Sequence, residues 1–127
     1  MTLSQYTILV VDDIPTNILL LKILLTREHC NVITANSGSH ALALAYEKQP
    51  DLLLLDIMMP DMSGFEVAEI LQKSPETSDI PILYLSALND YPIAPDGHLL
   101  KEEDYITKPF DIHKLIQKIL QRLRTAK

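Results

Sequence analysis

Short apolar runs alternate along this chain with longer segments whose apolar residues recur at helical spacing. The runs "YTILVV" and "DLLLLDI" are apolar over strand length, which is typical of parallel strands buried on both faces. We predict five strands, at residues 6–11, 31–35, 51–57, 80–87 and 104–108. We predict full-length helices at residues 16–29, with Pro15 in the first turn, and at 36–49, 62–74 and 112–125, which Asp111 caps.

Strands that alternate with helices predict an α/β fold, in which a parallel sheet carries helices on both faces. For five strands we expect the flavodoxin-like three-layer sandwich, with strand order 2-1-3-4-5. The interval 88–103 interrupts the pattern, because Pro92, Pro95 and Gly97 oppose a full-length helix there. We therefore predict a short or irregular fourth helix, with a late turn around residues 97–103. We expect residues 1–127 to form one domain.

Composition and charge narrow the classes of protein that fit. Hydrophobic residues make up 47% and charged residues 22%, as in ordinary globular proteins. The net charge of −6 argues against a nucleic-acid-binding module, which would present a basic face. Charged or polar residues interrupt every leucine-rich run before it reaches membrane-spanning length. Because "MTLSQYTILVVDD" lacks a basic leader and Cys30 stands alone, we expect a cytoplasmic protein.

Polar and charged residues follow the predicted strands at their carboxyl ends. Asp12 and Asp13 follow the first strand, Asp56 closes the third, Ser86 closes the fourth and Lys108 follows the fifth. Strands of a parallel sheet end at one edge, and ligands bind in the crevice where the winding of the sheet reverses. We therefore expect three carboxylates, a hydroxyl and an ammonium group to converge there.

The chemistry of this cluster indicates phosphoryl transfer. Three carboxylates at close range repel one another and take up protons or a cation. Oxygen ligands without histidine or thiolate suit a hard ion such as Mg²⁺. A divalent metal and a lysine can neutralise phosphoryl oxygens, while a carboxylate can attack phosphorus and form an acyl phosphate. This is the role that we expect for Asp56.

Four motifs, in order along the chain, resemble those of the receiver domain of two-component response regulators. They are "VVDD", "LLLLDIMMPDMSG", "LSA" and "YITKPF". The resemblance is chemotaxis-Y-like and covers nearly the whole chain. It implies that Asp56 is the phosphoacceptor, that Asp13 binds Mg²⁺ directly and that Asp12 acts largely through water. It also implies that the backbone carbonyl of Met58 is a metal ligand.

The resemblance implies further roles at the other strand ends. Lys108 resembles the lysine that pairs with the phosphoryl group, and Ser86 resembles the hydroxyl that bonds it. Tyr105 resembles the aromatic switch that follows Ser86. The Lys108–Pro109 bond resembles one that is usually cis, and Gly64 resembles the glycine that closes the loop after the third strand.

The implied function is a phosphoacceptor switch of a two-component system or phosphorelay. A sensor histidine kinase or a phosphotransfer protein would supply the phosphoryl group to Asp56 with Mg²⁺ as cofactor. The strand 4–5 surface would then change and regulate a downstream protein target. Such a domain is a switch rather than an enzyme, with weak autophosphatase activity at most, and we expect no direct contact with nucleic acid or membrane.

Two other classes of protein share part of this pattern. A haloacid-dehalogenase-like phosphatase also uses an aspartate after a strand with Mg²⁺, but it requires a second aspartate where Met58 stands. A pseudo-receiver would act as a protein-binding module without phosphorylation, and the altered interval 88–103 favours it. Pseudo-receivers usually lose an acidic residue or the lysine, whereas this chain retains all of them. The pseudo-receiver remains the alternative.

Two further features bear on partners and on the lifetime of the phosphate. Lys114, Lys118 and Arg122 recur every four residues on the last helix. We favour a solvated face; the alternative is a homodimer through the strand 4–5 and last-helix face, where this row would meet the acidic residues 102–104 of a second copy.

Met58 and Leu88, two residues after Asp56 and Ser86, are apolar and cannot orient an attacking water. Our hypothesis is a comparatively long-lived acyl phosphate.

Overall fold

The computed structural model describes residues 4–87, 93–97 and 99–125. The strands are Thr7–Val11 (β1), Asn31–Ala35 (β2), Leu52–Asp56 (β3), Ile82–Ser86 (β4) and Tyr105–Thr107 (β5). The α-helices of the described residues are Pro15–Arg27 (α1), Gly38–Lys48 (α2), Gly64–Lys73 (α3) and Ile112–Thr125 (α4). Within the described ranges no helix is long and apolar enough to cross a bilayer.

All five strands are parallel and form one sheet in the order β2-β1-β3-β4-β5, which confirms the predicted topology. The predicted strand ranges extend one or two residues beyond the observed ends, except in β2, because the sequence pattern does not show where ladder pairing stops. Val11 pairs with Leu55 in the centre of the sheet, and Ser86 pairs with Thr107 at its edge. These pairs align the carboxyl ends of neighbouring strands.

The two faces of the sheet bury separate sets of side chains, because successive residues of a strand point to opposite faces. Val10 and Leu54 face α1 and α4, where Leu25 and Ile119 lie in the same cluster. The alternate strand residues face α2 and α3 and form the second cluster, which includes the buried residues Leu9, Val11, Leu53, Leu55, Ala41, Ala45, Val67 and Leu71. The sheet is therefore the middle layer of a three-layer sandwich.

Local signals start the helices within two residues of the predicted positions. Pro15 occupies the first turn of α1. Ser37 caps α2 by accepting from the His40 amide, and Ser63 forms a capping box with Glu66 at the start of α3. Asp111 accepts hydrogen bonds from the first amides of α4. Each cap fixes where a loop ends at the edge of the sheet.

The segment between β4 and β5 contains a short 3₁₀ helix, Glu102–Asp104, which confirms the prediction of a short or irregular helix. An isolated antiparallel bridge joins Ile93 to Leu99, and the described residues 93–97 and 99–101 are not helical. Residues 88–92 and 98 lie outside the described part of the chain, so the prediction for Leu88 falls there.

The basic row on α4 differs from the favoured prediction of a solvated face. The Lys118 ammonium donates to the backbone carbonyls of Glu102 and Tyr105 at 2.8 and 2.7 Å. Arg122 pairs with Asp104 at 3.0 Å and donates to the Ile82 carbonyl at 2.8 Å. Both side chains are only partly exposed. That prediction was wrong for Lys118 and Arg122, because backbone carbonyls and a carboxylate of the same chain accept hydrogen bonds from them.

The buried face of β3 generates a stability prediction. Leu54 is fully buried between the sheet and the helices α1 and α4, whereas Leu19 on α1 is 58% exposed. Leu54→Ala should lower the free energy of unfolding by about 3 kcal/mol, since a cavity forms in the core. Leu19→Ala should change it by less than about 0.5 kcal/mol. Urea denaturation measures both, and equal losses would contradict this assignment of the core.

Candidate functional site

Strand register brings the predicted acidic residues and lysine to one edge of the sheet. Asp12 follows β1, Asp56 ends β3, and these two strands are neighbours. Oxygens of Asp12, Asp13 and Asp56 all lie within 4.8 Å of one another. Lys108, which follows β5, places its ammonium 3.1 Å from Asp12 Oδ2 and 3.5 Å from Asp56 Oδ2. Residues far apart in the chain therefore form one charged cluster.

Asp12 is fully buried and held from two sides. Its backbone amide donates to the Ala35 carbonyl at the end of β2, at 3.2 Å. Its Oδ1 accepts from the amide of Ile14 at 3.0 Å, immediately before α1, while Ile14 itself occupies the N-cap position. Its Oδ2 faces Lys108 but has no aligned hydrogen-bond partner in the described structure. This buried oxygen is therefore paired with Lys108 by charge and not by an aligned hydrogen bond.

Asp56 is 4% exposed. As in Asp12, one carboxylate oxygen accepts from a backbone amide and the other faces Lys108. Oδ1 accepts a hydrogen bond from the Met58 amide at 3.2 Å, while Oδ2 faces Lys108. Gly64 closes the loop behind it by donating to the Ile57 carbonyl at 2.8 Å. A Cβ at Gly64 would lie 2.4 Å from the Asp56 carbonyl oxygen, so only glycine fits at this approach.

Ser86 and Lys108 lie beside each other at the edge of the cluster. The Lys108 amide donates to the Ser86 carbonyl at 2.8 Å, which continues the β4–β5 ladder by one bond. The Ser86 side chain is buried, and its hydroxyl donates to the Ala87 carbonyl at 3.3 Å. The Lys108–Pro109 peptide bond is cis.

Tyr105 begins β5 and is half-buried. The Lys118 ammonium lies 5.4 Å from the centre of its ring and also bonds its carbonyl. Burial lowers the pKa of Lys118, and the Glu102 carboxylate opposes that effect. These contacts join Tyr105 to α4.

The charge of the cluster fits a divalent cation. Three carboxylates against one ammonium leave an excess of negative charge, and one oxygen of Asp12 is buried without an aligned partner. Oxygen donors alone are the ligand set of hard ions such as Mg²⁺. The residues present therefore fit the ion that the sequence predicts.

The same crowding changes the acidity of Asp56. Its pKa is raised from 3.8 to about 7, first because burial disfavours the charged carboxylate and second because the Asp12 carboxylate repels it. Lys108 and the Met58 amide lower the pKa in part. A carboxyl group in this environment is poised to accept a cation or an electrophile.

Comparison with known proteins identifies the family. A family model described as the response regulator receiver domain matches residues 8–120. The chain belongs to this family. Receiver domains are signalling switches that bind Mg²⁺ at an acidic pocket, and Asp12, Asp13 and Asp56 form the acidic cluster of this one.

Individual relatives agree with the family assignment. The chain is 44% identical to the response regulator PleD of Caulobacter vibrioides over 82% of its own length and 23% of that protein. It is 36% identical to the protein PilH of Pseudomonas aeruginosa, over 88% of this receiver domain and 93% of PilH. A crystal structure of a response regulator from Chloroflexus aurantiacus has a TM-score of 0.82 and 29% identity, covering 94% and 98% of the two chains. This receiver domain thus spans about a quarter of PleD but nearly all of PilH.

Two features near the site escaped the sequence analysis. Asp61 accepts hydrogen bonds from the amides of Gly38 and Ser39, and no local pattern links residues so distant in the chain. The bonds of Lys118 to the β5 segment were also missed. The four-residue spacing of Lys118 and Arg122, with acidic residues just before β5, was the one available signal.

The raised pKa of Asp56 generates a prediction about pH and stability. The native carboxyl binds its proton more tightly than the unfolded one, so its contribution to stability is present at low pH and is lost as pH rises from about 4 to 7. Asp56→Asn should therefore be more stable than wild type at pH 7.5 without metal, by about 2 to 4 kcal/mol. The difference should shrink towards pH 4.

Urea denaturation of both proteins in chelator-treated buffer measures this difference across the pH range. Titrating groups away from the cluster are common to the two proteins and cancel in the comparison. A constant difference between pH 4 and 7.5, or an Asn variant less stable than wild type at pH 7.5, would contradict the prediction.

Proposed function

We propose that this receiver domain takes a phosphoryl group from a phosphohistidine onto Asp56 and so switches the surface around β4 and β5. The observation that supports the proposal is the position of the Lys108 ammonium, 3.1 Å from Asp12 Oδ2 and 3.5 Å from Asp56 Oδ2. A nucleophilic carboxylate, a cation and further acidic ligands then lie at one partly exposed rim. This is the arrangement that phosphoryl transfer requires.

The chemistry would be an in-line displacement at phosphorus. An Asp56 carboxylate oxygen forms the new O–P bond as the P–N bond of the donor breaks, and the electron pair stays on the imidazole nitrogen. The Met58 amide holds Asp56 Oδ1 and so fixes the orientation of the carboxylate. The Lys108 ammonium can stabilise the phosphoryl oxygens. Mg²⁺, when bound, would neutralise charge on the same oxygens.

The groups that already contact each carboxylate oxygen indicate the role of each acidic residue in metal binding. We assign direct binding of Mg²⁺ to Asp13 and Asp56 and to the backbone carbonyl of Met58. Asp12 would act largely through water, since its Oδ1 already accepts from the Ile14 amide and its Oδ2 faces Lys108. Removal of the metal should therefore leave the fold intact but abolish acceptance of phosphate.

The switch would use contacts at the end of β4 and β5. The Ser86 hydroxyl now donates to the Ala87 carbonyl, and it could turn to donate to a phosphoryl oxygen instead. Tyr105 would follow into the space that Ser86 leaves. Since Lys118 lies against the Tyr105 ring, the population of states would shift at the β5–α4 surface.

The proposed partners are proteins. A sensor histidine kinase or a phosphotransfer protein would donate the phosphoryl group, and a downstream protein would bind the changed surface; the net charge of −6 disfavours direct contact with nucleic acid. If a second copy binds this face, it would meet the exposed Glu102, Glu103 and Lys114, because Asp104 already pairs with Arg122 inside the chain.

Mass spectrometry after incubation with acetyl phosphate and Mg²⁺ tests the proposal. Wild type should gain one phosphoryl group, and the adduct should be absent in Asp56→Asn and in wild type treated with chelator. Asp51→Asn is the matched control. Asp51 is an exposed aspartate that directly precedes β3, whereas Asp56 ends that strand. It should be phosphorylated like wild type. No adduct on wild type would favour a phosphorylation-independent binding module.

The lifetime of the acyl phosphate is a separate prediction. Met58 is 67% exposed beside Asp56 and offers no group that can orient water. Met58→Asn together with Leu88→Glu should speed loss of phosphate by about tenfold or more, because polar groups can position an attacking water. The decay of the phosphorylated species, followed by mass spectrometry after removal of acetyl phosphate, measures this rate. Met58→Leu is the control, and equal decay in all variants would refute the hypothesis.

A further inference from the structure

We propose that Asp61 positions the metal site by anchoring the β3–α3 loop, residues 57–63, to the first turn of α2. The inference rests on the proposed function, in which the Met58 carbonyl of this loop binds Mg²⁺. Asp61 touches neither the phosphoryl group nor the metal in this scheme. It would act by holding the loop so that the Met58 carbonyl is correctly placed for the metal.

The anchor is a cap supplied from another part of the chain. Asp61 Oδ1 accepts from the Gly38 amide at 3.1 Å, and Oδ2 accepts from the Ser39 amide at 3.2 Å. These amides belong to the first turn of α2, whose N–H groups have no partner within the helix. The bonds lower the pKa of Asp61, as expected for a carboxylate that accepts backbone hydrogen bonds.

The helix already has a cap of its own. Ser37 Oγ accepts from the His40 amide at 3.2 Å, so α2 has a local signal for its start. The Asp61 bonds add a second pair of contacts, and these contacts join the helix to the loop. Because Ser37 already caps the helix, the main effect of the Asp61 bonds is to fix the position of the loop.

Packing supports the same anchor. A Cβ built on Gly38 would lie 2.2 Å from Met62 Cγ and 2.8 Å from its sulfur, so Met62 occupies the space that the missing side chain leaves. Asp61 and Met62 thus hold adjacent loop positions against one helical turn. The polar and the apolar contact fix the same end of the loop.

The other end of the loop is fixed beside the phosphoacceptor. The Met58 amide donates to Asp56 Oδ1, and the Gly64 amide donates to the Ile57 carbonyl. Between these bonds Met59 and Met62 pack against the core, and the Asp61 anchor supplies the polar contact that fixes the backbone. Mg²⁺ demands near-ideal octahedral geometry, so a small displacement of one carbonyl ligand lowers its affinity.

Calorimetric titration with Mg²⁺, without any phosphodonor, tests the inference on the intact chain. Asp61→Ala should raise the dissociation constant by about three- to tenfold, somewhat less than the loss of a direct partner of a ligand. Asp61→Asn retains one acceptor oxygen and should give a smaller rise. Gly38→Ala should also weaken binding, although alanine favours a helix more than glycine does, because it displaces Met62.

Asp51→Ala is the matched control. Asp51 Oδ2 also accepts a backbone bond from a distant segment, the Thr7 amide at 2.7 Å, but at the opposite end of the sheet. This variant should lose stability in urea denaturation and keep wild-type affinity for Mg²⁺. Wild-type affinity in both Asp61→Ala and Gly38→Ala would overturn the inference, as would equal weakening in Asp51→Ala. Failure of wild type to bind Mg²⁺ would instead overturn the proposed function.

Discussion

The burial of two carboxylates beside one lysine is the constraint on which this structure depends. Asp12 and Asp56 are almost inaccessible to solvent, and the Lys108 ammonium lies within ion-pair distance of both. Removing like charges from water is costly, and one cation compensates the arrangement only in part. The raised pKa of Asp56 expresses that cost. The fold therefore maintains a negatively charged site that a bound cation would stabilise.

The sheet can hold this arrangement because its two faces are buried independently of the rim. Leucines of β3 alternate between the two core clusters, and Asp56 is reached only where the strand ends. The loops beyond the rim are then free to differ in their contacts. One is anchored to α2 through Asp61, and the segment before β5 is bonded by Lys118 and Arg122 of α4. The acidic cluster and the contacts between α4 and β5 thus lie in different parts of one frame.

Most of the frame could be predicted from the sequence because its signals are local. The continuous apolar strands, Pro15 and Asp111 act within a few residues, and their roles agree with the structure. The strand order followed from the alternation of strands and helices and is confirmed. The basic row on α4 was misjudged, since four-residue spacing describes one helix but not the carbonyls that another segment presents to it. Most predicted strands were one or two residues too long, because the sequence pattern does not show where ladder pairing stops.

The sequence by itself determined the secondary structure, the family and the set of residues available for chemistry at the strand ends. Tertiary structure alone decided the distances between Asp12, Asp56 and Lys108, the partners of Lys118 and Arg122, and the bond from Asp61 to α2. The physical reason is the separation along the chain of the residues that interact. Periodicity and caps depend on neighbours within a turn or two, whereas these contacts join segments that meet only after the sheet has assembled and set their register.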